Sequence, residues 1–102
     1  MRRALRLLAE HAGDEMGHPS KPFSAAALLE DAYLRGLAKS VKRLLRGLRR
    51  LGWLIPLGRG NYLPSPELVD ALIYAKWGPG AFTPEGARHV RRLLRRLRKW
   101  SC

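Results

Sequence analysis

One stretch limits what this chain can fold into: KSVKRLLRGLRRLGWLIPLGRGNYLP, from Lys39 to Pro64. At about 100° per residue, Val41, Leu44, Leu45, Leu48 and Leu51 fall within an arc of roughly 120°. Lys39, Lys42, Arg43, Arg46, Arg49 and Arg50 fill about 120° of the opposite side. Such a helix can lay one flank on a core while the other keeps six cations in water. No acid interrupts it. A row of cations on a rigid rod matches the phosphates beside a nucleic-acid groove. The plainer alternative is a solvated Lys/Arg face.

After the helix the residue types change. Gly52 suits the left-handed position past a helix end. Trp53 to Leu57 is a short apolar run of strand type. Pro56 cannot donate a ladder bond, so an exposed edge is expected there. Gly58-Arg59-Gly60 gives a tight turn with one cation at its tip. Asn61-Tyr62-Leu63 returns, and Pro64 and Pro66 end the strand.

Helix, Gly-Trp and basic-tipped hairpin together, L-x-x-L-G-W-L-I-P-L-G-R-G-N-Y-L at Leu48 to Leu63, resemble the recognition helix and wing of a winged helix-turn-helix DNA-binding domain of the transcriptional-regulator type. The G-R-G-x-Y form is also similar, less closely, to the N-terminal domain of abortive-infection type IV antitoxins. The resemblance implies a mainly α fold with a small β-hairpin wing, here carrying extra C-terminal helices. It also implies a short strand near Lys21-Pro22-Phe23 paired with the hairpin. A toxin-neutralising domain is not carried over, because 102 residues leave no room for one.

At that length one domain with one modest core is expected, covering 1–102, with a winged-helix core over about 1–64 and a helical extension over about 65–102. The net charge is +12, from 20 Lys and Arg against 8 Asp and Glu, which selects for polyanionic partners. Arg outnumbers Lys 15 to 5, and its planar fork suits phosphate and guanine, although a GC-rich genome gives the same bias. The absence of Gln and the single Asn point to a thermophilic source. One cysteine, Cys102, can build neither an intrachain disulfide nor a thiolate zinc site. No apolar run approaches the roughly 18 residues of a membrane span. The N-terminal apolar stretch is broken by Glu10 and His11, which argues against a signal peptide. A cytoplasmic, nucleoid-associated protein is expected.

Along the chain, Arg2 to Ala12 reads as a first helix stopped by Gly13. Gly13 to Pro22 is loop. Ser24 caps a second helix that ends between Glu30 and Leu34, with Ala26, Leu29 and Tyr33 facing the core. Gly36 marks the turn into the basic helix. Ser65-Pro66-Glu67 and Thr83-Pro84-Glu85 each open a further helix. That repeated start is capping chemistry rather than a duplication. Leu68, Leu72, Ile73, Ala75 and Trp77 give the fourth helix its apolar surface. Ala87, Val90, Leu93, Leu94, Leu97 and Trp100 cluster on one face of the fifth.

Catalysis finds no support. His11, His18 and His89 lie in separate segments, with no paired carboxylates, nucleophilic triad or phosphate loop. No enzyme activity, cofactor or metal is expected. The candidate DNA-binding residues are Lys39, Ser40, Lys42 and Arg43 as base readers, Arg46, Arg49 and Arg50 on phosphates, and Arg59 at the wing tip. Trp53 and Tyr62 read as core or hairpin-pair residues. The expected partner is double-stranded DNA, with structured RNA or a protein-interaction role as alternatives. The fifth helix is expected to make a homodimer through Val90, Leu94, Leu97 and Trp100, with a helix laid on the domain's own core or a second nucleic-acid contact as alternatives. Lying on a membrane surface would take its apolar face from a core already small.

Overall fold

The structure, a computed structural model, describes residues 1–101. In chain order these form α1 (Arg2–His11), β1 (Phe23–Ser24), α2 (Ala25–Leu34), α3 (Ala38–Leu51), β2 (Leu54–Gly58), β3 (Asn61–Pro64), α4 (Pro66–Trp77), one 3-10 turn (Pro79–Ala81) and α5 (Pro84–Trp100). The fold is mainly helical with one small antiparallel sheet.

Helix starts follow local chemistry closely. The Ser24 hydroxyl accepts from the Ala27 amide at 3.1 Å, Ser65 from Leu68 at 3.2 Å and Thr83 from Gly86 at 3.1 Å. Each takes up a donor that the first helical turn leaves without an intrahelical partner. α3 ends at Gly52, in the left-handed region at φ 71°, and the Trp53 amide donates to the Leu48 carbonyl at 2.9 Å. Gly36 closes α2 in the same way: its φ is 71°, and the Leu37 amide donates to the Ala32 carbonyl at 2.7 Å.

The hairpin expected after Gly52 is present. β3 is central, in the order β1-β3-β2, and both pairings are antiparallel. Pro56 lies on the outer strand, where no ladder bond is lost. The first strand begins two residues later than expected and ends one later, at Phe23–Ser24, with Phe23 opposite Tyr62. Their rings lie 6.1 Å apart. Trp53 is buried, and Tyr62 is half-buried.

Three expectations are corrected. α1 stops at His11 with Ala12 as its cap, while Gly13 forms an isolated bridge with Pro19. The loop itself supplies the stop, since the Lys21 amide turns back to the Ala12 carbonyl at 2.8 Å. α2 is rotated relative to the expected face: Leu29 packs half-buried against the core as expected, but Ala25, Leu28 and Ala32 are the buried residues, Ala26 is exposed, and Tyr33 is 76% exposed. Asp31 explains the rotation. It accepts from His11 of α1 at 2.8 Å, and holding it against α1 turns Tyr33 outward. Finally, Trp77 and Trp100 are 49% and 44% exposed, because Leu68, Ala71, Leu72 and Ala75 of α4 and Ala87, Val90, Leu93 and Leu97 of α5 already fill the inner faces.

The core is one cluster. Leu8 of α1, Leu28 of α2, Leu48 of α3, Leu72 of α4 and Leu97 of α5 all belong to it. Residues 65–101 therefore pack as part of the same core as the first 64. α1 packs on α4, and α5 packs on both α3 and α4. Val90 and Leu97 are buried inside the chain, at 1% and 0% exposed, so neither is available to a symmetry mate. No helix of the described residues is long and apolar enough to cross a membrane.

Candidate nucleic-acid interface

α3 presents its cations as its periodicity requires. Val41, Leu44, Leu45 and Leu48 are buried, and Lys39, Lys42, Arg43, Arg46, Arg49 and Arg50 are all exposed. Lys39, Arg43, Arg46 and Arg50 share an arc of about 60°, forming a straight stripe about 16 Å long at 1.5 Å per residue. Ser40 lies off this stripe. It is half-buried and, with Arg43 and Arg46, lines a hollow of about 550 Å³ beside Met1 and Ser101.

On the other flank, α2 and α3 enclose a shallow groove of about 380 Å³. Leu29 and Leu45 line it with Lys42, Arg46, Arg49 and Arg50. It is a concave strip with an apolar base and a cationic rim. The Arg49 guanidinium lies 5.8 Å from the centre of the Tyr62 ring. At an exposed site such a contact is worth about 0.5–1 kcal/mol. It ties α3 to the central strand of the hairpin, a contact with no signal in the residue pattern, since Tyr62 could face either way.

Arg59 sits at the hairpin tip, exposed, with φ 55° between Gly58 at 93° and Gly60 at 75°. Three consecutive residues with positive φ are tolerable only where glycine supplies most of the conformational freedom. The turn projects the arginine away from the body of the sheet.

The acids are elsewhere. The ion pairs found among the described residues join His11 to Asp31 at 2.8 Å, Arg35 to Asp31 at 2.9 Å and Arg35 to Glu10 at 3.9 Å. All lie where α1 meets α2. The hydrogen bond from His11, then that from Arg35, holds the Asp31 carboxyl below its ordinary value, and Asp31 in turn raises Arg35. No α3 cation has a carboxylate in ion-pairing distance among the described residues. The face is thus a localised positive field, unneutralised from within.

Among the described residues no group of three or more His, Cys, Asp and Glu is placed to hold a metal ion. Gly47, in the middle of α3, carries a constraint that helical periodicity does not reveal. A Cβ there would meet the Ser101 hydroxyl and come within 3.2 Å of the Ser101 Cα. Glycine inside an otherwise regular helix was the available signal. Comparison with protein-family models, curated proteins and solved structures gave no match to this chain.

Proposed function

We propose that this chain is a winged helix-turn-helix protein that binds double-stranded DNA and serves as a small transcriptional regulator. α3 lies in the major groove, and the β2–β3 wing reaches the flanking backbone or minor groove through Arg59. The observation that carries the reading is the exposed face of α3: six cations, without an acid partner, beside a hairpin with a cation at its tip. The α2–turn–α3 unit and the pairing of β1 with the hairpin agree with it. A helix of about 10–12 Å diameter matches a major groove about 12 Å wide. Lys39, Lys42 and Arg43, near the N-terminal end, are the base readers, with Ser40 on their flank. Arg46, Arg49 and Arg50 hold phosphates.

Homodimerisation through α5 is not part of this proposal. Of the four residues expected at its seam, Val90 and Leu97 are buried in the protomer's own core, whereas Leu94 is half-buried and Trp100 is exposed.

The test is a titration of labelled duplex DNA, structured RNA and single strands across a salt series. Four phosphate contacts, from Arg46, Arg49, Arg50 and Arg59, contribute about −3.6 to the log-log slope on duplex DNA, about −0.9 per contact. Changing Arg46 and Arg50 together to Glu lowers duplex affinity by about 100-fold, two charge-assisted contacts at about 1.5 kcal/mol each, with the circular dichroism unchanged. Unchanged affinity in that variant overturns the assignment of α3. Tighter binding of structured RNA at matched salt replaces the DNA reading with an RNA one.

A further inference from the structure

α5 repeats α3. Aligning residues 41–50 with 90–99 gives identity at seven of ten positions, and two of the three differences exchange Lys and Arg. The buried positions correspond: Val41 and Val90 are 0% and 1% exposed, Leu44 and Leu93 1% and 5%, Leu48 and Leu97 both 0%. The exposed positions correspond as well. The stripe Lys39, Arg43, Arg46, Arg50 has its counterpart in Arg88, Arg92, Arg95, Lys99, with the same 4-3-4 spacing and every member exposed. The remaining difference, Gly47 against Arg96, has a steric cause. Ser101 seats on α3 at Gly47 and leaves no room for a Cβ, whereas Arg96 lies at the surface.

The second stripe is not held by ion pairs among the described residues. Arg88, Arg92 and Lys99 have no carboxylate in ion-pairing distance among the described residues, and the helix contains one acid, Glu85, in its first turn. Arg88 and Arg92, Arg91 and Arg95, Arg92 and Arg96, and Arg95 and Lys99 all stand four residues apart, where like charges destabilise a helix. A polyanion laid along the stripe removes that repulsion and releases its own counterions. α5 packs directly on α3, with each stripe opposite its own buried face.

We infer that α5 is a second duplex-binding helix, contacting the phosphates of a separate duplex segment along Arg88, Arg92, Arg95 and Lys99, since its stripe faces away from that of α3. The inference rests on the preceding section for the choice of partner and on a different helix for its evidence. The test compares two variants of equal net charge: Arg88, Arg92 and Lys99 changed to Gln, and Arg2, Arg3 and Lys21 changed to Gln. Duplex binding is followed by fluorescence anisotropy over a salt series, with circular dichroism checking the fold. Added to a protein already bearing Arg46→Glu and Arg50→Glu, so that the α5 site is read alone, the α5 changes are expected to lose about 2.7 units of log-log slope, about 0.9 per phosphate contact, and the control changes less than one. The single change Arg92→Gln is expected to give about a third of the loss, and it serves should the triple variant unfold.

Equal losses in the two triple variants, or no loss in either, overturn the inference and leave α3 unaffected. In the protein carrying Glu at 46 and 50, the weaker binding that persists is expected to disappear when the α5 changes are added. Should the changes at Arg46 and Arg50 prove silent while the α5 changes abolish binding, the α3 assignment fails and this one stands.

Discussion

α3 and α5 carry nearly the same ten residues in different surroundings. α3 is flanked by α2 and linked to the hairpin through Arg49 and Tyr62, and it accepts the end of α5 at Gly47. α5 packs on α3 and α4, with its cations to solvent. One helical pattern thus yields one element set between a helix and a hairpin, and another that begins from a capped turn and closes the core. The pattern dictates which face is wet. It does not dictate what stands beside that face.

The largest effect should come from the inner faces. Leu48 and Leu97 are equivalent in the repeat and equally buried. Each changed to Ala is expected to cost about 3 kcal/mol, measured by chemical denaturation. A cost below about 1 kcal/mol for Leu97→Ala would make α5 an appendage and end the comparison. Next is the one position where the helices diverge. Gly47→Arg, which gives α3 the residue of α5, should destabilise by about 1–3 kcal/mol, since Ser101 must move. The reverse exchange, Arg96→Gly, should cost only about 1 kcal/mol, the helix propensity of glycine at an exposed site. Equal effects from the two exchanges would contradict the close approach at Gly47.

The smallest effect lies at the paired corner of α1 and α2, the electrostatic opposite of the α3 face. Asp31 is held below its ordinary 3.8 by His11 and Arg35. Its contribution is fully present above that value and is lost as pH falls through the lower folded-state value. Asp31→Asn should therefore weaken the protein modestly near neutrality and flatten the acid limb of its stability profile. A variant with the same acid limb as the parent would show that the pairing adds nothing.

Much of this fold was legible because it is local. Ser24, Ser65 and Thr83 cap helices through a hydroxyl and an amide three residues on, and Gly52 and Gly36 end helices through their own backbone freedom. The α3 faces follow from its period, and the Gly-Arg-Gly tip from its glycines. Each depends on neighbours within a few residues, so local residue order sets them, together with the candidate residues Lys39 to Arg50 and Arg59.

Tertiary contact decided the rest. Tyr33 points outward because Asp31 meets His11 across two helices. Trp77 and Trp100 stay at the surface because leucines and alanines of the same helices fill the core first. Gly47 is required by a residue 54 positions later, and Tyr62 receives Arg49 only because β3 is the central strand. Periodicity reports which residues can be buried together. Which of them are buried depends on the shape of a neighbour far away in the chain, and that shape exists only once the core has closed.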